Sequence, residues 1–159
     1  MNTSDWSLRQ GHRLVQLGML VFLFALFVGL GVSISGHGLP IFAVPRLGLS
    51  AHLIGLMQGT FLIATGALWP KLQLTRATSL VGFWLVVYGF FAAWAINVLA
   101  AVWGAGSGML PNAAGQAHGS ALQEGVIAIG LRTAAVSQIA ALILILWGLR
   151  TFAKDNSGK

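Results

Sequence analysis

Four apolar segments govern what this chain can become. They run from about Leu14 to Ile34, Ser50 to Trp69, Ala77 to Trp103 and Gln123 to Leu149. Each reaches the roughly 20 residues that a helix needs to cross hydrocarbon. Lipid offers no partner to a free N–H or C=O, so such segments must be helices or strands of a closed barrel. Barrel strands alternate apolar and polar residues, and these do not. The expected fold is therefore all-α, an integral membrane protein with one domain over residues 1–159, a bundle of four transmembrane helices. Composition agrees: 8% of the residues are charged, against about 25% in soluble domains, too few to cover a water-facing surface.

The remaining charges predict an orientation. Arg9 and Arg13 precede the first segment, Lys71 and Arg76 lie between the second and third, and Arg150, Lys154 and Lys159 follow the fourth. The other two loops hold only Arg46. Basic loops stay on the cytoplasmic side, which puts both termini inside and the chain in a bacterial cytoplasmic membrane. A net charge of +6 also suggests nucleic acid, but the basic residues form no stripe and no known motif, so no nucleic-acid partner is expected. The polar start MNTSDWSLRQGHR leads into a long apolar run with no small-residue cleavage site, and reads as the approach to a retained helix.

Most site chemistries are excluded by what is missing. Without cysteine there is no thiolate, disulfide or iron–sulfur ligand set. Three acids and four histidines, scattered along the chain, make neither a zinc site nor a carboxylate pair. A Ser-His-acid arrangement lacks its sequence context. His37, His52 and His118 gather at the outer end, and His12 lies at the inner end. His52 is the most suggestive. With Ser50 as a helix cap it would sit in the first turn, sharing a face with Gly55 and Gly59. Two readings fit this spacing. Gly55 and Gly59 make a GxxxG contact for close helix packing beside an interfacial histidine. Alternatively the glycines leave a shelf for a porphyrin edge and His52 is an axial haem ligand.

Two further features carry weight. Arg132, well inside the fourth segment, needs a partner in lipid: a carbonyl, an ion network, another protomer or a haem propionate. The third segment is aromatic, with Trp84, Tyr88 and Phe91 on one face and Phe90, Trp94 and Asn97 on the other. An amide inside a membrane helix must find a partner, so the Asn97 face is expected to point inward. Aromatic faces are commonly packing or lipid contacts, but they can also stabilise a cationic substrate.

The stretches RLVQLGMLVFLFALFVGL, VPRLGLSAHLIGLMQG, WGAGSGMLP, LQEGVIAIGL and LILWGLR occur in that order over most of the chain. Together they resemble the bacterial hydroxylaminobenzene mutases. The region around His52 is also similar to styrene oxide isomerases. The resemblance implies four membrane helices, a homotrimer, and haem b between subunits with His52 as the ligand. It implies an intramolecular isomerase for a small aromatic substrate, turning a hydroxylamine into an aminophenol or an epoxide into an aldehyde, with ferric iron as Lewis acid. Gly55, Gly59 and Arg132 would then help to hold the haem, and Gln58, Tyr88, Trp94 and Asn97 would serve catalysis. The chain departs from the family pattern at Gln58, where the relatives carry Asn, at Ile54 and at Ala93. The rival readings are a b-type cytochrome with His37 or His118 as second ligand, and a structural or transport bundle.

Overall fold

Local signals set the helix ends. Pro45, whose missing N–H costs nothing at a first helical position, opens the second helix after the extended Val44. Thr75 caps the third helix by accepting from Thr78 N–H at 3.3 Å. Gly104, at φ 64°, ends it in the left-handed conformation that glycine tolerates. Ser120 and Gln123 form a reciprocal capping box, Gln123 N–H to Ser120 Oγ and Ser120 N–H to Gln123 Oε1, at the start of the last helix.

A computed structural model describes the backbone of residues 3–156 and the side chains of residues 5–150. Lys159 and the side chain of Lys154 lie outside the described residues. The elements are α1 (Thr3–Gly36), α2 (Pro45–Leu68), a 3-10 turn (Trp69–Lys71), α3 (Arg76–Trp103), the short α4 (Pro111–Ala114) and α5 (Ala121–Asn156). Four helical spans are long and apolar enough to cross a membrane: Asp5–Gly36, Pro45–Lys71, Arg76–Trp103 and Ala121–Arg150.

Three boundaries differ from the sequence expectation. The stretch before Leu14 is already helical. The second helix begins at Pro45, so Ser50 is not its cap and His52 lies beyond the first turn. The last helix begins at Ala121 rather than Gln123, because the capping box sets its start.

Helices α1, α2 and α3 form a triangular group, with α1 running along α2 and touching α3 more lightly. Helix α5 packs along α3 and makes no extensive contact with α1 or α2. The α1–α2 seam is a ladder of glycines. A Cβ at Gly11 would lie 2.6 Å from the Gly66 carbonyl, and one at Gly18 would lie 2.7 Å from the Gly59 carbonyl. Gly11, Gly18 and Ala25 recur every seven residues on α1, facing Gly66, Gly59 and His52 on the antiparallel α2. Lipid tails are as apolar as leucine, so helices gain from such close backbone approach rather than from hydrophobic exclusion.

Candidate functional site

His52 occupies the third rung of the glycine ladder. Gly29 makes room for the ring: a Cβ there would lie 2.5 Å from His52 Nδ1. Nδ1 is 2.7 Å from the Ala25 carbonyl. A carbonyl can only accept, so Nδ1 carries the proton and Nε2 keeps its lone pair. The residue is half-buried, on the same helix as the exposed Leu49, Leu53 and Met57. This is the arrangement of a metal-binding imidazole: one nitrogen fixed by a backbone carbonyl, the other free as a donor.

Gly55 and Gly59 do not leave an open shelf. A Cβ at Gly55 would meet Ala25 Cβ and Trp94 Nε1, both at 2.6 Å, and one at Gly59 would meet the Gly18 carbonyl and Phe22 at 2.9 Å. The space expected for a porphyrin edge is filled by α1 and an indole, which is the close-packing reading. Gln58 is half-buried and forms no hydrogen bond among the described residues.

The faces of α3 divide as the buried-amide argument expects. Phe90, Trp94 and Asn97 are buried, whereas Trp84, Tyr88 and Phe91 are 60%, 49% and 45% exposed. Trp94 stacks on Phe24 with centroids 6.1 Å apart, and meets the edge of Phe91 at 5.8 Å. Asn97 donates to the Ala93 carbonyl. The Trp94 Nε1 and Asn97 Oδ1 atoms are buried and have no partner among the described residues. Tyr88 instead points outward and donates to Thr133 Oγ1 at 2.8 Å, since the threonine proton goes to a carbonyl of its own helix.

A cavity of about 380 Å³ lies between α1 and α3, lined by Phe24, Phe27, Gly31, Phe42, Trp94 and Val98 among others. Its walls are almost wholly apolar. It opens on a different face of α1 from the Ala25–Gly29 edge that holds His52. One protomer therefore brings the Trp94 N–H close to the His52 turn of α2, against Gly55 and Ala25, but places Tyr88 and Arg132 elsewhere, along α5. Arg132 is exposed about 16 Å along α5 from its start and, among the described residues, has no ion pair or hydrogen bond. Of the partners expected for Arg132, neither a carbonyl nor an ion network is found among the described residues. No group of three or more His, Cys, Asp or Glu side chains among the described residues could hold a metal ion by itself.

Two polar clusters escaped the sequence reading. At the basic end the buried Gln10 accepts from Trp69 Nε1 at 3.0 Å and Ser79 Oγ at 2.7 Å, tying α1 to the 3-10 turn and α3. At the other end Glu124 accepts from Gly106 N–H and Gly119 N–H at 2.8 and 3.1 Å, closing the long glycine-rich loop. Ser107 lies in the same cluster, 2.7 Å from His118 Nδ1. The position of Glu124, the one acid near the outer histidines, was the available signal.

The family described as styrene oxide isomerase matches the chain over residues 10–150. Hydroxylaminobenzene mutase HabB of Ectopseudomonas oleovorans is 44% identical over 140 residues, covering 88% of this chain and 81% of the relative. Hydroxylaminobenzene mutase HabA of the same organism is 39% identical over 132 residues, covering 83% of this chain and 93% of the relative. No solved structure matches. A match over nearly the whole apolar region, in a chain with the membrane helices that the resemblance implies, identifies an isomerising enzyme that belongs to the styrene oxide isomerase family.

Proposed function

We propose that this protein rearranges a small aromatic hydroxylamine to an aminophenol within the membrane, at a ferric haem b held by His52 in a homotrimer. The observation that carries this reading is the hydrogen bond from His52 Nδ1 to the Ala25 carbonyl, which leaves the Nε2 lone pair unused by that bond. A single imidazole with its tautomer locked would hold haem iron through Nε2. Gly55 and Gly59 act one step removed, by seating the helix that presents His52. When bound, ferric haem supplies a Lewis acid with an open position for the substrate oxygen or nitrogen.

The protein's own residues do the rest. The apolar groove is open along one side, and lipid against that side would keep out the water that captures a cationic substrate. The ring faces of Phe24, Phe27 and Trp94 stabilise positive charge on the aromatic ring. The unpartnered Trp94 N–H and Asn97 oxygen are a donor and an acceptor held in an apolar interior, ready for a polar group. Because His52 and this cavity lie on different faces of α1, the working site is shared between copies. Arg132 supports an assembly: an unpaired guanidinium on a lipid-facing surface is costly, and a second copy or a haem propionate would relieve it.

The mutase relatives favour the hydroxylamine; the family description favours an aryl epoxide as the second reading. A bis-histidine cytochrome fits less well. His37 is bonded to the Ser33 carbonyl beyond α1, eight or more residues past Ala25 and Gly29. The offset is about 12 Å along the helix, and what weighs against this reading is the pair of relatives named as mutases.

The test uses detergent-purified protein with no added cosubstrate. The expected outcome is a haem absorption spectrum that shifts with added nitrogen ligands, and aminophenol formed from an aryl hydroxylamine. His52→Ala should lose most of the pigment and the activity. Full haem retention in that variant would reassign the ligand. Turnover of aryl epoxides alone would select the second reading. Labelling of the Gly106–Leu110 loop from outside the cell tests the inferred topology, with both termini cytoplasmic.

A further inference from the structure

We infer that the basic end of the bundle binds one anionic phospholipid in the cleft between α1 and α3. Its phosphate would rest on Arg9 and Arg13, and an acyl chain would follow Leu17, Leu20 and Val87. Two adjoining cavities carry the inference. The first, about 150 Å³, is lined by Trp6, Arg9, Gln10, Arg13, Phe83 and Trp84, with Leu80. The second, about 500 Å³, shares Arg13, Phe83 and Trp84 and continues along Gln16, Leu17, Leu20 and Val87. The chemistry thus changes from cationic to apolar along one groove, as a phospholipid changes from phosphate to chain.

The position suits that occupant. Arg9 and Arg13 are one helical turn apart on α1. Arg76, the first residue of α3, holds its guanidinium 4.9 Å from the Trp6 ring, on the cavity wall. Among the described residues none of these arginines forms an ion pair. The acid on this stretch is Asp5, exposed and unpaired with them. Tryptophan at the head of a membrane helix sits at the headgroup level, and basic pockets between helices on one side of a membrane recognise anionic headgroups. Of the other polar wall atoms, Gln10 Oε1 already accepts two hydrogen bonds and does not compete for the arginines, and Trp6 Nε1 is a buried N–H with no partner among the described residues.

The full chain in detergent would be titrated with phosphatidylglycerol or with phosphatidylcholine of the same chains, and bound lipid counted by native mass spectrometry. Phosphatidylglycerol should bind one per protomer and phosphatidylcholine far less. Arg9→Gln with Arg13→Gln should weaken phosphatidylglycerol binding roughly thirtyfold, from the usual worth of two surface cations. Both side chains are exposed, so the fold should survive. Arg150→Gln removes a charge at the same end but outside the cleft, and should leave binding unchanged. Glycerol phosphate, a headgroup without chains, should compete poorly against wild-type protein. Equal binding of the two lipids, an equal loss in Arg150→Gln, or full competition by glycerol phosphate would each overturn the inference. None of these readouts depends on haem or on isomerase activity.

Discussion

The α1–α2 and α3–α5 pairs solve the same problem in different ways. In lipid, apolar side chains alone hold no helix to its neighbour. The α1–α2 seam uses small residues, so that Gly11 meets Gly66 and Gly18 meets Gly59 backbone to backbone. The α3–α5 seam has close approach at Gly89 and Gly130 too, but adds polar side chains: Ser137 Oγ donates to the Leu85 carbonyl and Gln138 Nε2 to the Gly89 carbonyl, both at 3.0 Å, and Tyr88 pairs with Thr133. The difference separates cohesion from chemistry. Where backbones touch, the polar group in the ladder, His52, has one nitrogen to spare. Where polar groups do the joining, they are engaged with each other.

The largest expected effect is on the glycine seam. Gly18→Leu or Gly59→Leu places a side chain where a carbonyl stands within 3 Å. Helix α1 would have to move away, at a cost of about 3 kcal/mol or more. Thermal unfolding in detergent, with size-exclusion chromatography, should show strong destabilisation. The control is Gly125→Leu, where an added Cβ meets nothing within 4 Å and stability should hold. Equal tolerance at all three positions would mean that this seam is not what joins α1 to α2.

A smaller change sharpens the comparison. Gly29→Ala puts a methyl 2.5 Å from His52 Nδ1. The ring can swing outward, so the helix pair should stay folded at a loss of about 1–2 kcal/mol. The imidazole would nevertheless leave the Ala25 carbonyl, and pigment retention should fall well below wild type. Gly18→Ala strains the same seam about three turns away and should lose stability without the same loss of pigment. Parallel losses in both variants would show that seam integrity, rather than ring placement, controls cofactor retention.

Next in size comes the polar seam. Gln138→Leu and Ser137→Ala each remove one side-chain hydrogen bond to a carbonyl on α3. Such bonds between membrane helices are worth about 0.6 kcal/mol, with a maximum near 1.7. Each variant should lower the unfolding midpoint measurably, and less than any leucine in the glycine seam.

The four membrane helices were legible because length and apolarity alone decide them. The inward face of Asn97 was legible because a buried amide is constrained by its own chemistry. The start of α2 was misread because Ser50 looks like a cap, although Pro45 is the stronger start signal. The partners of Gly55 and Gly59 were not legible. A GxxxG spacing says that something comes close, and only the register between helices says that it is Ala25, Trp94, Gly18 and Phe22. His52 stood out for its setting, but its bond to a carbonyl 27 residues away depends on that register too. Arg132 and Tyr88 look functional in a list of unusual residues, yet Tyr88 meets Thr133 through the α3–α5 register and Arg132 has no partner among the described residues, neither of which spacing reveals.

Tyr88→Phe should have the smallest effect. The hydroxyl is on the exposed side of α3, and Thr133 keeps its own contacts to the Ile129 and Gly130 carbonyls when the phenol is removed. No buried group is orphaned, so the loss of stability should be about 0.6 kcal/mol or less. If the α3–α5 polar groups serve cohesion alone, isomerase turnover in this variant stays within twofold of wild type, measured at equal haem content. A tenfold fall in turnover at unchanged stability would put the phenol in a site shared with a neighbouring copy, and the division between a joining seam and a reactive one would no longer hold.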